Sequence, residues 1–180
     1  VTVPVPEVDE EACTGCGVCG DVCAFNAIVP VGGSVLLFPE LCHGCGACTL
    51  LCPAHAITEA PRAIGVLEAG TAGVGGAIGF AHGRLNVGEA KAPPVVAAVA
   101  ALADMPTGEV TIIDAPPGTS CPVIAAVRGA DLVLLVAEPT PFGVHDLRLA
   151  VEMVEALGQR AALVINRSDG HDEGVEAVAR

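Results

Sequence analysis

Apolar residues along the chain come in short, punctuated runs whose period changes from one end to the other. Near the N-terminus, Val35-Leu36-Leu37-Phe38 is bounded by turn residues and reads as a short strand. Further on, Val110-Thr111-Ile112-Ile113, Asp131-Leu132-Val133-Leu134-Leu135-Val136-Ala137 and Ala161-Ala162-Leu163-Val164-Ile165 are continuous rather than alternating runs. That pattern predicts strands covered on both faces. Between the last two, Leu147, Ala150, Val151, Val154 and Leu157 recur at helical spacing and stop at Gly158, with Thr140-Pro141 supplying a cap and a first-turn proline. Strand, helix, strand in this order predicts an α/β architecture with a parallel sheet and right-handed crossovers.

The first sixty residues follow a different rule. Cys13-x2-Cys16-x2-Cys19-x3-Cys23 returns, 29 positions on, as Cys42-x2-Cys45-x2-Cys48-x3-Cys52. Gly15 and Gly17 answer Gly44 and Gly46, and Ala27-Ile28 answers Ala56-Ile57, so a whole unit is duplicated. Thiolates at every third position of a loop wrap one face of a four-iron, four-sulfur cubane, and glycines between them let backbone amides approach its sulfides. Paired C-x2-C motifs also make structural zinc sites, but zinc does not account for the third and fourth cysteine of each run. The runs resemble two-cluster ferredoxins, in which the last cysteine of each run ligates the other cluster. The resemblance implies one cluster on Cys13, Cys16, Cys19 and Cys52, and a second on Cys42, Cys45, Cys48 and Cys23. Cys52 precedes Pro53, as in that family, whereas Cys23 precedes Ala24, a departure confined to the local turn.

Composition sets the frame. At 180 residues and 52% hydrophobic content, the chain can bury one ordinary core plus a small module. We expect two domains, 1–60 and 61–180. No apolar run approaches the roughly 20 residues a membrane span needs. The opening Val-Thr-Val-Pro-Val-Pro lacks the basic head and apolar core of a signal peptide. Cluster-committed thiols call for a reducing compartment, hence the cytoplasm. A formal charge of -13 with only eight Lys and Arg argues against nucleic acid and for a basic or small neutral partner. The chain has no initiator methionine and reads as a piece of a longer protein.

Three polar clusters follow the expected strands, where ligands of parallel sheets bind: Asp114-Ala115-Pro116-Pro117-Gly118-Thr119, Glu138-Pro139-Thr140 and Asn166-Arg167-Ser168-Asp169. Gly70-Thr71-Ala72-Gly73-Val74-Gly75-Gly76 lacks the terminal Gly-Lys-Ser/Thr of a phosphate loop and reads as a flexible connection or twisted hairpin. The only lysine, Lys91, has no such loop before it. Cys121 reads as a small core-facing residue, His43 and His55 as loop residues beside ligands, and Glu152 and Glu155 as a solvated helix face.

Together with Gly83-Arg84-Leu85-Asn86-Val87-Gly88-Glu89 and Ala130 to Thr140, these segments resemble the MinD/ParA-type P-loop ATPases, specifically the branch that carries an inserted ferredoxin domain. The resemblance implies a partial P-loop NTPase-like parallel sheet beside a ferredoxin-like α+β two-cluster domain. It makes Asp114 an acid near magnesium, Gly118 part of a switch-like loop and Asn166 an adenine contact. The family's lysine-bearing loop lies upstream of Val1 by this comparison, so this piece is expected to lack ATPase activity. The longer protein is expected to bind ATP and Mg, to form a homodimer, and to pass electrons to a redox partner protein under nucleotide control. Iron-sulfur cluster assembly is the alternative; it is disfavoured because each cluster has four ligands within one module.

Overall fold

The computed structural model describes residues 1–74, 78–104, 110–168 and 170–178. They form two compact units, Val1–Val99 and Ala100–Arg180.

In the first unit the duplication becomes three-dimensional. Strand β1 (Thr2–Val8), helix α1 (Val18–Val22) and strand β2 (Ile28–Val31) make one half; β3 (Ser34–Leu37), α2 (Ala47–Leu51) and β4 (Ile57–Ala63) make the other. Neither half pairs its own strands. β1 runs antiparallel to β4, with Val8 opposite Ile57, and β2 runs antiparallel to β3, with Ile28 opposite Leu37. Gly32 and Gly33, both at positive φ, turn the β2–β3 hairpin in two residues, a conformation that glycine adopts without steric cost. Ile28, Ile57, Ala56, Cys19 and Cys52 form the buried centre, with Val8, Val35 and Leu37 packed against it.

The change of composition near Ala60 falls inside β4, and the compact unit continues to Val99. β5 (Gly65–Ala72) and β6 (Ile78–Leu85) form an antiparallel hairpin, so the glycine-rich stretch is a hairpin arm, with Gly75 and Gly76 outside the described residues. Helix α3 (Pro93–Ala100) buries Val95 against Gly65 and Gly83, where a Cβ would strike the Arg84 carbonyl and the Val95 side chain. Asn86 ties the hairpin back, its side-chain amide donating to the Ala63 carbonyl at 2.9 Å.

The second unit holds α4 (Cys121–Val127), β7 (Val133–Ala137), α5 (Pro141–Ala156), β8 (Ala161–Ile165) and α6 (Glu173–Val178). β7 and β8 pair in parallel around the α5 crossover, as expected. Thr140 caps α5, its hydroxyl accepting from the Gly143 amide at 3.0 Å, and Gly158 follows the helix at positive φ. Leu147 and Val154 are buried from α5, while Glu152 and Glu155 are exposed.

Four expectations need correction. The partial parallel sheet expected in residues 61–180 reduces, among the described residues, to the β7–β8 pair; the other three sheets are antiparallel, and the chain is a small α+β structure. Val110–Ile113 is not a strand, and Val110 and Ile112 are 80% and 89% exposed. An apolar run becomes a buried strand only when a sheet edge receives it, and among the described residues β7 and β8 pair only with each other. Helices cover one face of β7 and leave Leu134 and Val136 exposed, so continuous hydrophobicity did not mean two-sided burial here. Cys121 likewise is exposed at the start of α4 rather than core-facing. No helix among the described residues is long and apolar enough to cross a membrane.

Replacing Thr140 with Ala removes the one side-chain cap of α5. Chemical denaturation should show a loss of about 1 kcal/mol in the second unit, with an unchanged first unit as internal control.

Candidate metal centres

Each cysteine run is a loop that turns into a short helix. Gly17 and Gly46 sit at matching helix N-caps with φ of 82° and 71°, a left-handed geometry that costs a side chain free energy. Gly20, inside α1, packs so closely on β2 that a Cβ would lie 2.3 Å from Pro30 Cδ. The corresponding positions in the other half are Thr49 and Glu59, so the two contacts have diverged together.

The loops surround two cavities. Cys13, Cys16 and Cys19 line the first together with Cys52, and Cys42, Cys45 and Cys48 line the second together with Cys23. The crossed strand pairing is the cause. Cys52 leads into β4, which lies along β1, the strand that leads into Cys13; Cys23 leads into β2, which lies along β3 and so approaches Cys42. Matching backbone bonds fasten both crossings: the Asp9 amide donates to the Ala56 carbonyl and the Phe38 amide to the Ala27 carbonyl, each at 2.8 Å.

The last cysteines are presented alike. The Ala27 amide donates to Cys23 Sγ and the Ala56 amide to Cys52 Sγ, each at 3.3 Å. The turn that aims them places Asn26 and His55 at the same φ of 51°. Ala24 in place of the expected proline therefore leaves this turn unchanged.

Thiol electrostatics follow depth. Burial pushes the Cys19 and Cys48 thiols up, the effect of desolvating a thiolate in the third position of each run. Burial opposes the Cys23 thiolate too, but amides of Phe25, Ala27, Ile28 and Asn26 gather around its sulfur and hold its pKa below the ordinary thiol value. Cys16 and Cys45 are exposed.

Eight soft sulfur donors, four to a cavity, with backbone amides turned toward sulfur, fit four-iron, four-sulfur clusters. Among the described residues, no three His, Cys, Asp or Glu side chains converge as they would on a single metal ion.

Other residues singled out from sequence lie elsewhere. His43 lines the second cavity and stacks on Phe25, ring centroids 3.7 Å apart. Asp114 and Gly118 lie in an exposed stretch of the second unit without regular secondary structure, and Asn166 follows β8, its amide donating to the Ala137 carbonyl at 2.8 Å. Asp169 is outside the described residues.

Sequence reasoning missed a polar strut beside the second cavity. Lys91 Nζ donates to the carbonyls of Cys42 at 2.7 Å, Glu40 at 3.0 Å and Pro39 at 3.4 Å. Glu89 anchors it: one carboxylate oxygen accepts the Lys91 backbone amide at 3.0 Å, and the other pairs with Arg62 on β4. The available signal was a lone lysine, two residues after a glutamate, in a strongly acidic chain. Burial works against the Glu89 carboxylate, yet the Lys91 amide and the Arg62 and Lys91 charges outweigh it and hold its pKa below the usual range.

Residues 12–57 match the 4Fe-4S dicluster domain family. Two uncharacterized proteins of Methanocaldococcus jannaschii are similar to the chain. One is 36% identical over 161 residues, covering 89% of this chain and 55% of the relative. The other is 39% identical over 85 residues, covering 47% of this chain and 32% of the relative. The chain thus spans about half, or less, of the length of these curated relatives. The dicluster match supports iron-sulfur clusters in the cysteine-rich region.

A lowered carboxylate pKa contributes stability that is present above the unfolded value, about 4.3 for Glu, and is lost as pH falls through the folded value. Glu89→Gln should therefore cost about 2 kcal/mol at pH 7. The deficit relative to wild type should shrink as pH falls toward about 4, as followed by denaturation of the cluster-loaded protein.

Proposed function

We propose that this chain relays single electrons between redox partners through two [4Fe-4S] clusters, each held by three cysteines of one run and the last cysteine of the other. The observation that carries this reading is the pair of cavities, each lined by four thiols in that crossed arrangement. A bound cluster of this type supplies one-electron exchange. The protein's part is to hold and screen it. Cys19 and Cys52 are buried and keep water from the inner side, while exposed Cys16 and Cys45 bring each site to the surface where a partner docks. A net charge of -13 suits transient association with a basic partner face, in the cytoplasm.

In a longer protein we further propose nucleotide control, with residues 61–180 contributing part of a MinD/ParA-type ATPase that binds ATP and Mg and acts as a homodimer. The support is the parallel β7–α5–β8 unit and the polar groups at the ends of its strands. Glu138 after β7 and Arg167 after β8 form an ion pair at 3.4 Å, drawing two of those strand-end clusters together. In this reading Asp114 holds the magnesium side, Gly118 belongs to the switch-like loop, and Asn166 contacts adenine.

Anaerobic reconstitution should give about eight irons and eight sulfides per chain, with interacting paramagnetic signals after dithionite reduction. Zinc, or about four irons, would end the relay reading. Cys23→Ser should alter the signal of the cluster on Cys42, Cys45 and Cys48, and Cys52→Ser that of the other; the reverse result would refute crossed ligation. In the longer protein, Asp114→Asn should abolish ATP hydrolysis while iron content stays at wild-type level, and undiminished hydrolysis would remove Asp114 from the nucleotide site.

A further inference from the structure

The two halves repeat their cysteines but not their charges. Asp9-Glu10-Glu11-Ala12 precedes Cys13, whereas the equivalent Phe38-Pro39-Glu40-Leu41 precedes Cys42. α1 carries Asp21 where α2 carries Leu50. The second cavity has its own acid, Glu59, on its lining, but it also has Lys91. That ammonium is 14% exposed and donates to three carbonyls of the segment ending at Cys42. Glu89 pairs with Arg62 and also lies 3.9 Å from the ammonium, so the three side chains together keep one net positive charge. With Glu7 of β1, five acids thus belong to the first half with no Lys or Arg among them, while in the second Glu40 and Glu59 are offset by a fixed positive charge.

Resting on the two-cluster reading, we propose that Lys91 is a positioning residue that sets the Cys42, Cys45, Cys48 and Cys23 site at a higher reduction potential than the Cys13, Cys16, Cys19 and Cys52 site. One electron from a one-electron reductant adds one negative charge to whichever site receives it; the reductant loses that electron, and no bond forms or breaks. A sheltered ammonium stabilises the added charge more than screened surface carboxylates destabilise it. Lys91 also donates to the carbonyls of Pro39, Glu40 and Cys42 and so offsets the negative ends of their dipoles. The first electron accordingly settles on the second site, giving two identically ligated sites an order.

Wild-type protein with eight irons, titrated with redox dyes and followed by paramagnetic resonance, should show two distinct potentials. In the half-reduced protein, hyperfine-shifted NMR of assigned cysteine β-protons should place the electron on the Cys42 side. Lys91→Met should lower the reduction constant of that site about tenfold, equivalent to about 59 mV for one electron, and leave the other site and the iron count unchanged. Lys91→Arg should restore the wild-type potential. Equal potentials in wild type, a first electron on the Cys13 side, or a Lys91→Met chain with eight irons and unshifted potentials would each overturn the proposal. If Lys91→Met fails to load iron, the wild-type NMR assignment decides alone. Fewer than eight irons in the wild type would instead defeat the two-cluster reading itself.

Discussion

The refusal of each half to pair its own strands is the constraint from which the metal sites follow. Once β1 lies along β4 and β2 along β3, the segment after Cys52 must run beside the segment before Cys13, and the segment after Cys23 beside the one before Cys42. Two amide-to-carbonyl bonds, Asp9 to Ala56 and Phe38 to Ala27, lock that exchange at equivalent points. The last cysteine of each run accordingly lines the cavity of the other run. A duplicated sequence thereby becomes one unit in which neither cavity is lined by one half alone.

The same exchange explains why so few apolar residues suffice. The buried centre consists of Ile28, Ile57, Ala56 and two cysteines, with a thin layer around it, far less than an autonomous domain of this size normally buries. Thiols at Cys19 and Cys48 resist ionisation because burial removes their water. An iron-sulfur cluster held there would neutralise those thiolates and join loops that otherwise have little apolar surface to share, which would couple metal binding to folding. Cys23 is prepared differently, by a ring of amides that favours its charged form before any metal arrives.

What the sequence made legible was whatever depends on local spacing. The cysteine and glycine repeat located both loops, and Thr140-Pro141 with Gly158 bracketed α5 within a residue or two. The bounds of β8 were readable because its apolar run between turn residues has β7 as a pairing partner. Properties that depend on neighbours were not readable. Val110–Ile113 has strand composition without a receiving edge, and Leu134 and Val136 look buried only if a second layer is assumed. Lys91 was invisible for the same reason: its three acceptors are main-chain carbonyls about 50 residues away, and carbonyls leave no trace in a sequence.

That last contact also bears on where the iron-sulfur unit ends. Cysteine spacing stops at Cys52 and the strand pairing at Ala63, yet the cation that seats the Cys42 loop lies beyond the β5–β6 hairpin and is held there by Glu89 and by Arg62 of β4. The hairpin is anchored in turn through Asn86 to Ala63, and Val95 of α3 is packed on its glycines. Support from outside the duplicated segment thus reaches the two halves unequally: Val1 of the first half bonds to the Gly65 carbonyl, whereas a side-chain cation seats the Cys42 loop of the second. Duplication repeats the cysteines at equal spacing, whereas an added segment need serve only one copy. A polar strut attached to one side is therefore a direct structural way for two equivalent sites to become unequal without disturbing a single ligand.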